Sequence, residues 1–592
     1  MFKKSLLKKI KGPKNLKKLP ITQLKKLSEE IRTVLIKTVA KNGGHLAPNL
    51  GTVELTIALH YSYNSPEDKI VWDVGHQAYT HKLLTGRYEK FSTLRLKDGL
   101  SGYLKREESE HDCYGAGHVG TAVSAALGFA QARDLKKEKN HVVAIIGDGS
   151  LTNGLTFEGI NNVGSTETDL TVILNDNKFS ISKNTGGIAN YLEKLSSIHM
   201  NGEPHTDIES IFHSLGFKYF GPIDGHDIKQ LIDVFNLAQE TPGPKLIHIE
   251  TKKGLGYYYS EHNPPAFHST SPFILESGKT SKDTKKLTYT KVFGNTLIKL
   301  AKKDKKIIAI TAAMPAGTGI DKFALEFPER FFDTGIAEEH AVVFASALAL
   351  EGFKPVVAIY STFLQRSYDQ ILHDVALQKI PVIFAIDRAG LVGSDGPTHH
   401  GAFDLSYLRN IPHMIILAPK DENELQHMLY TATQYTEGPI AIRYPRGTGI
   451  GSAMNRTLEK LEIGKAEKLR RGNNAAILAI GSMVYPAIEA SNLLKKNDIH
   501  ATVYNARSVK PIDSEMVKNA AKTGKIITVE ENILDGGFGS AILEELQKQN
   551  IQDTQVVRIG IEDFIEHGEI NELREKYGLT ANGICKKVLE II

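Results

Sequence analysis

The sequence predicts an α/β protein of three domains, each built on a largely parallel sheet flanked by helices. Short apolar runs rich in β-branched residues, such as Val142–Ile146 and Leu170–Leu174, recur between stretches with helical periodicity. Continuous apolar runs of this length are typical of strands covered on both faces, as in parallel sheets with helical crossovers. Because one core rarely serves more than about 250 to 300 residues, we expect the 592-residue chain to divide.

A polar stretch from Ser269 to Lys286, with little apolar content and no clear period, predicts a linker. It ends a first domain at residues 1–286, which is followed by a second at 287–456 and, after a glycine-containing passage, by a third at 457–592. Further strand candidates share the apolar, β-branched character: Lys245–Ile249 in the first domain, Ile307–Ile310, Val356–Tyr360, Val382–Ile386 and Met414–Leu417 in the second, and Ala475–Ile480 and Ile526–Val529 in the third.

The composition excludes several classes of function. The 72 basic and 68 acidic residues give a net charge of +4, too balanced over this length for a nucleic-acid-binding surface. The lysine-rich N-terminus is interpreted as a solvated helical face, with membrane or partner docking as the alternative. No apolar stretch reaches the ~20 residues of a membrane helix and no secretory signal pattern is present, so we expect a cytoplasmic protein without a membrane partner. Two cysteines, Cys113 and Cys585, cannot build a disulfide framework or a cysteine-rich zinc site.

Polar residues accompany the ends of two successive predicted strands. Gly147-Asp148-Gly149 comes directly after one, and Asn175-Asp176-Asn177 follows the next. Because the carboxyl ends of parallel strands meet at one edge of a sheet, we expect Asp148 and Asn177 to lie close together. Their oxygen atoms suit Mg²⁺ bound to phosphate, and nearby glycines let backbone N–H groups approach a diphosphate, although the glycine triplet alone could be a plain turn. The pair resembles the thiamine-diphosphate signature, which implies Asp148, Asn177 and the carbonyl oxygen of Phe179 as metal ligands.

A second group of candidates lies in the predicted middle domain. Glu338 precedes an amphipathic stretch and so lies near a helix start, where a carboxylate could simply compensate the helix dipole. Thiamine chemistry offers another role, because one fixed carboxyl group in dry surroundings can drive proton transfer on the aminopyrimidine. Phe363 and Arg366 follow a predicted strand. Phe363 is either core packing or a face on which a pyrimidine ring stacks, and the resemblance favours stacking.

Longer blocks of residues agree with one family of thiamine enzymes along nearly the whole chain. These blocks are Gly43–Gly51, Trp72–Tyr79, Gly221–Asp227, Asp387–Gly390, Gly393–Gly401 and Arg443–Gly447. The sequence therefore resembles the 1-deoxy-D-xylulose-5-phosphate synthase family of transketolase-like enzymes, and the resemblance implies the transketolase-like thiamine-diphosphate-binding fold.

The resemblance implies a transferase that condenses pyruvate with D-glyceraldehyde 3-phosphate to 1-deoxy-D-xylulose 5-phosphate and CO2. This reaction is the first step of the non-mevalonate isoprenoid pathway and also feeds thiamine and pyridoxal synthesis. Thiamine diphosphate and Mg²⁺ are the implied cofactors. The implied assembly is a homodimer in which the first two domains of a single chain enclose each active site.

The resemblance also assigns roles to residues that, taken singly, are more often structural or solvated. His45, His268 and His399 match histidines that act on pyruvate or in proton handling, and His76 matches a cofactor contact. Arg388 and Arg446 match arginines that recognise the phosphate. Tyr360 and Asp395 match neighbouring contacts to the phosphate and to the aldehyde hydroxyls, respectively. Further cofactor contacts carry over to Gly117, His118, Val119, Gly149, Ser150, Asn177 and Tyr257.

The chain departs from the family pattern at three points. Val119 and Gly120 stand where two serines are common, which removes a hydroxyl contact while Gly120 keeps the loop compact. Glu339 stands where glutamine is usual, and the segment between Asn177 and Lys252 is shorter than in many members, which leaves open how the site is covered. The alternatives are a transketolase, which moves a ketol unit without decarboxylation, a pyruvate dehydrogenase-type decarboxylase, and a non-catalytic thiamine-diphosphate-binding paralogue.

Overall fold

The structure is a computed structural model and describes residues 5–180, 184–200, 210–280 and 287–592. The chain forms two compact units: the first comprises residues 1–283 with 335–337, and the second comprises 284–334 with 338–592. The second unit contains two separate sheets. The division into three domains, with boundaries at 286/287 and 456/457, stays a prediction.

The first unit is built on one parallel sheet with strand order β1-β2-β3-β5-β4. Its strands are β1 (Lys69–Trp72), β2 (Val142–Gly147), β3 (Leu170–Asp176), β4 (Lys218–Asp224) and β5 (Pro244–Glu250). Every residue of β3 is buried, as a continuous apolar run predicts. Gly147 pairs with Asn175 in neighbouring strands, so the polar residues that follow β2 and β3 emerge at the same edge of the sheet.

Helices cover both faces of this sheet. They are α1 (Pro13–Leu16), α2 (Ile21–Asn42), α3 (Leu46–Gly51), α4 (Val53–Ser62), α5 (Tyr79–Lys82), α6 (Ala122–Lys136), α7 (Gly154–Gly164), α8 (Gly187–Met200), α9 (Ile211–Ser214), α10 (Ile228–Glu240) and α11 (Tyr258–His262). Buried residues of α2, α4 and α10 pack on one face, and those of α6 and α7 pack on the other. This layering explains why the middle of each inner strand is mainly apolar.

The second unit holds a larger sheet of order β15-β10-β11-β9-β8-β6-β7 and a smaller sheet of order β12-β14-β13-β16-β17. The strands are β6 (Ile307–Thr311), β7 (Phe331–Asp333), β8 (Lys354–Tyr360), β9 (Ile383–Asp387), β10 (Ile415–Leu417), β11 (Ile440–Arg443), β12 (Glu467–Arg470), β13 (Ala475–Ala479), β14 (Ala501–Asn505), β15 (Ser508–Lys510), β16 (Lys525–Ile533) and β17 (Gln555–Ile561). Pairing is parallel except at the edge strands β15 and β12, which are antiparallel to their neighbours. Strand β15 comes from the predicted third domain but pairs with β10 of the predicted second domain.

The helices of the second unit alternate with these strands. They are α12 (Tyr289–Ala301), α13 (Pro315–Thr318), α14 (Asp321–Glu326), α15 (Glu338–Leu350), α16 (Ser361–Leu364), α17 (Tyr368–Gln370), α18 (Asp404–Arg409), α19 (Glu422–Thr433), α20 (Val484–Lys495), α21 (Ser514–Ala521), α22 (Phe538–Lys548), α23 (Ile570–Lys576) and α24 (Ala581–Leu589). The predicted α/β class with largely parallel sheets is therefore confirmed.

The first part of the predicted linker packs on the first unit. Thr270 and Gly44 exchange two backbone hydrogen bonds of 2.8 and 2.9 Å. Phe273 is buried in the core, and its N–H donates to the carbonyl of Ala40. Residues 281–286 of the linker lie outside the described residues. Across the described ranges, no helix combines the length and apolarity needed to cross a membrane.

Candidate active site

The three predicted metal ligands form one hydrogen-bonded cluster at the edge of the first sheet. Asp148 accepts hydrogen bonds from the N–H groups of Gly149 (2.9 Å) and Asn177 (3.2 Å). The side-chain oxygen of Asn177 in turn accepts the N–H of Phe179 at 3.2 Å. A carboxylate, a carboxamide and a main-chain carbonyl give an all-oxygen donor set, which Mg²⁺ prefers.

The carboxylate of Asp148 lies beside that of Asp176. Burial and the charge of Asp176 raise the pKa of Asp148 well above its ordinary value. Burial opposes ionisation of Asp176 too, but its hydrogen bond to His248 and the charge of that ring lower its pKa. A buried carboxylate next to a second one requires a compensating cation. The cluster therefore fits a divalent metal ion.

Lys253 supplies one cation at this position. Its ammonium group bonds the carbonyl of Ser180 and lies 3.4 Å from that of Phe179. Burial lowers the pKa of Lys253 to about 8, and the charge of Asp148 opposes this shift. The carbonyl predicted to bind the metal is thus already turned toward a positive charge.

Asp73 joins the two glycine-containing loops that the resemblance assigns to the cofactor. Its buried carboxylate accepts the N–H of Gly120 at 2.9 Å and the hydroxyl of Ser150 at 2.7 Å. The loop of Gly117, His118 and Val119 is thereby tied to Gly149 and Ser150. Gly120 has φ of +91°, which glycine adopts without steric cost. The Val119-Gly120 departure is therefore compatible with a compact loop.

Three of the predicted histidines meet in the first unit. The ring centroids of His45, His76 and His268 lie 5.0 to 5.7 Å apart. The side-chain amide of Asn49 donates to the carbonyls of His45 (2.6 Å) and His76 (2.7 Å), which fixes both backbones. Burial, and next the charge of Lys253 at 3.1 Å, lowers the pKa of His268 well below its ordinary value. The depressed pKa keeps the His268 ring neutral and makes it a weak base.

Tyr257 lies in an aromatic group instead. Its ring centroid is 5.7 Å from those of Phe267 and Phe273, and its hydroxyl donates to the carbonyl of Leu275 at 2.9 Å. Because the hydroxyl is bonded to the main chain, a cofactor contact by Tyr257 would use the ring.

Glu338 begins α15 in the second unit, as predicted. Its side chain is buried, and Oε2 has no hydrogen-bond partner among the described residues. Burial raises its pKa to about 7, and the charge of Arg366 opposes the shift. A carboxyl group with this pKa can give and take a proton near neutral pH. An unpartnered buried oxygen is expected where a ligand supplies the partner, so Glu338 fits the aminopyrimidine of thiamine diphosphate.

Tyr360, Phe363 and His399 form a stack of rings in the same unit. The rings of Tyr360 and Phe363 are nearly parallel at 5.7 Å, and His399 meets Phe363 edge-on at 5.4 Å. The guanidinium carbon of Arg388 lies 4.1 Å from the centre of the Tyr360 ring. Residues from separate motifs meet because β8 and β9 end side by side, with Tyr360 paired to Asp387.

Asp387 holds one side of Arg388 in place. Nη1 of Arg388 donates to the Asp387 carboxylate (2.7 Å), to the hydroxyl of Thr290 (2.9 Å) and to the carbonyl of Gly317 (2.8 Å). Asp387 is fully buried, whereas the Arg388 side chain keeps 20% exposure. The remaining guanidinium edge can therefore bind an anion in a fixed orientation.

Arg446 and Asp395 complete the predicted set in the second unit. Nη1 of Arg446 donates to the carbonyl of Val392 at 2.7 Å and lies 3.6 Å from the Asp395 carboxylate. Burial raises the pKa of Tyr360 to about 12, and the charges of Arg388 and Arg446 both oppose this. The charges of Arg388 and Arg446 therefore both reach the hydroxyl group of Tyr360.

Four residues that contact the predicted site residues were not singled out from the sequence. Asp73, Asp176 and Asp387 lie at or directly after strand ends, and this position could have marked them. Lys253 carries no such signal, since a lysine in a glycine-containing loop reads as solvated. Its burial follows from the folding of two other segments around it.

Family profiles match the chain in three consecutive parts. The profile described as 1-deoxy-D-xylulose-5-phosphate synthase matches residues 7–209 and 203–251. The transketolase pyrimidine-binding domain matches residues 285–449, and the transketolase C-terminal domain matches residues 464–584.

Individual proteins are similar over nearly the full length. The 1-deoxy-D-xylulose-5-phosphate synthase of Heliobacterium modesticaldum is 52% identical over 99% of this chain and 95% of its own length. That of Dictyoglomus turgidum is 53% identical over 99% of both chains. A solved transketolase from Campylobacter jejuni is 20% identical over 97% of this chain and 100% of its own, with a TM-score of 0.44.

Proposed function

Since the chain belongs to the 1-deoxy-D-xylulose-5-phosphate synthase family, we propose that the residues described above divide the family's reaction between them. The protein is a transketolase-type transferase that condenses pyruvate with D-glyceraldehyde 3-phosphate to 1-deoxy-D-xylulose 5-phosphate and CO2, the first step of the non-mevalonate isoprenoid pathway. The family uses thiamine diphosphate with a divalent metal. When bound, the cofactor supplies the electron sink for decarboxylation.

The polar cluster of the first unit is proposed to hold the metal and the diphosphate. Asp148, Asn177 and the carbonyl of Phe179 would bind the metal, and the loops tied together by Asp73 would offer N–H groups to the phosphate oxygens. The supporting observations are the hydrogen bonds that join these ligands and the raised pKa of Asp148.

Glu338 carries the proposal for the other end of the cofactor. Its buried, unpartnered Oε2 and its pKa of about 7 suit a carboxyl group that exchanges a proton with the aminopyrimidine. Phe363 would stack on that ring, and Arg366 would orient the carboxyl group through its charge.

The remaining residues are assigned to the substrates. Arg388 and Arg446 would bind the phosphate of the aldehyde, with Tyr360 beside them and Asp395 at the hydroxyl groups. His399 would handle protons during condensation. In the first unit, His76 would contact the cofactor, while His45 and His268 would act on pyruvate or in proton transfer. The position of the His268 ring beside those of His45 and His76 supports that role.

A homodimer is proposed as the assembly. Two exposed apolar side chains support it, since Leu350 at the end of α15 and Leu377 in a later turn are each 67% exposed. Sedimentation velocity on the cofactor-loaded protein distinguishes a dimer from a monomer.

The function is tested by supplying the purified protein with pyruvate, D-glyceraldehyde 3-phosphate, thiamine diphosphate and Mg²⁺. We expect CO2 release and a product with the mass of 1-deoxy-D-xylulose 5-phosphate. Glu338→Ala should nearly abolish turnover without unfolding the protein, whereas the neighbouring Glu339→Gln should retain it. Acceptance of ketose donors without CO2 release would indicate a transketolase, and cofactor binding without turnover would indicate a non-catalytic protein.

A further inference from the structure

We propose that the C-terminal segment 566–568 positions the loop that carries Asp395 and His399, and that His400 is the positioning residue through which it acts. The inference rests on the proposed function, which assigns Asp395 and His399 to the reaction. In sequence, His399 and His400 are indistinguishable neighbours. The structure gives them different surroundings.

Both ring nitrogens of His400 are bonded to the main chain. Nδ1 accepts the N–H of Val392 at 3.1 Å, and Nε2 donates to the carbonyl of Glu566 at 3.1 Å. These two bonds require a neutral ring that carries its proton on Nε2. The ring is 3% exposed and has no free edge for a substrate. His400 therefore links two segments by hydrogen bonds and takes no part in proton transfer.

Val392, the residue at one end of this link, is connected to the proposed phosphate site. The N–H of Val392 is held by His400, and its carbonyl accepts Nη1 of Arg446 at 2.7 Å. Arg446 in turn lies 3.6 Å from the carboxylate of Asp395. A shift of Val392 would therefore displace the arginine and its acidic partner together.

Glu566, the residue at the other end of this link, is anchored by the C-terminal end of α23. Its carboxylate accepts hydrogen bonds from Nζ of Lys576 and the hydroxyl of Tyr577, each at 2.6 Å. The loop also lies directly against this segment, since a Cβ added to Gly396 would come within 3.0 Å of Cβ of His567. The carbonyl that receives His400 is thus part of a fixed surface, to which the loop is fitted.

Two near-isosteric substitutions separate the two bonds. His400→Gln keeps a donor near the position of Nε2 but removes the acceptor for Val392. His400→Asn keeps an acceptor near Nδ1 but cannot reach Glu566. Loss of one hydrogen bond corresponds to roughly a three- to tenfold change, so we expect each variant to raise the KM for D-glyceraldehyde 3-phosphate by that factor. The KM for pyruvate should stay within about twofold of the wild-type value.

His427→Asn is the matched control. The ring of His427 accepts the N–H of Glu459 at 3.0 Å and contacts Asn455, so it holds a different segment of the same unit by hydrogen bonds. It should lower the melting temperature as the His400 variants do, without changing either KM. A uniform loss of kcat with stability in the His400 variants would instead indicate a purely structural role and overturn the inference.

Tyr577→Phe tests the C-terminal anchor even if the His400 variants fold poorly. It removes one bond to Glu566 far along the chain from the loop, and we expect a smaller rise in the aldehyde KM. Wild-type kinetics in both His400→Asn and Tyr577→Phe would overturn the inference, provided that His399→Ala and Asp395→Asn are impaired. If those last two variants are unimpaired, the proposed function of the loop fails instead.

Discussion

The substitution Glu338→Gln offers a measurement of the electrostatic state of the proposed cofactor site in the cofactor-free protein. The side chain keeps its shape but loses its ability to ionise. Burial raises the pKa of this carboxyl group from 4.5 to about 7, and Oε2 has no partner among the described residues that an amide would displace. The variant therefore isolates the free energy of ionising a buried acid.

The sign of the effect follows from proton linkage. Because its folded-state pKa lies above the unfolded value, this carboxyl group contributes stability that is fully present below about pH 4.5 and is lost as the pH rises through about 7. One pKa unit corresponds to about 1.4 kcal/mol, so the loss amounts to about 3 kcal/mol. Glutamine stays neutral throughout. The variant should therefore match the wild-type protein near pH 4 and exceed it by about 3 kcal/mol near pH 9.

Urea unfolding at several pH values between 4 and 9 measures this difference. Glu530→Gln is the control, because burial also raises the pKa of Glu530 to about 7 but both of its oxygens accept N–H groups, from Phe538 and Gly539. The amide NH2 would face one of these N–H donors. The free energy of unfolding of Glu530→Gln should therefore show the same pH trend as that of Glu338→Gln but lie about 1 to 3 kcal/mol below it at every pH. A difference between Glu338→Gln and wild type that does not change with pH would refute the reasoning.

Two further predictions concern the phosphate and metal sites. Arg388→Ala should raise the aldehyde KM by at least about tenfold through the loss of charge-assisted hydrogen bonds. It should also lower the free energy of unfolding by about 3 kcal/mol, because Asp387 stays buried without its cation. Steady-state kinetics and urea titration check these effects, and a rise in the pyruvate KM instead would contradict the assignment. Chelation by EDTA should abolish turnover, and added Mg²⁺ should restore it. The Asp148→Asn variant should need at least about tenfold more Mg²⁺ for its half-maximal rate. An Mg²⁺ titration that the substitution leaves unchanged would exclude Asp148 as a ligand.

The strands that the sequence predicted best are those buried on both faces. The run Val142–Ile146 became Val142–Gly147, and Val356–Tyr360 became Lys354–Tyr360. Edge strands were not predicted, because a strand with one neighbour needs no continuous apolar run. Strand β12 alternates half-buried and exposed residues, β4 contains Gly221-Pro222, and β15 has three residues. Their positions depend on pairing partners that lie far away in the chain.

The candidate site was predictable where chemistry follows a strand end. Asp148, Asn177 and Arg388 each follow a buried strand, so a parallel sheet gathers each of them at an edge. Contacts made by distant segments gave no such signal. The bond from His400 to the carbonyl of Glu566 spans 166 residues, and Lys253 meets the carbonyl of Ser180 across 73. A main-chain carbonyl has no sequence signature, so these assignments require coordinates.

Burial acts in opposite directions on the acids and bases of the first unit. It raises the pKa of Asp148, and it lowers those of Lys253 and His268. Each group is thus displaced toward its neutral form by the lack of water around it. A metal ion would displace the proton of Asp148, so the carboxylate would compensate one of the two metal charges, and a diphosphate oxygen would compensate the other. Because a diphosphate alone would add buried negative charge beside the two carboxyl groups, the cluster is suited to bind the diphosphate together with the metal.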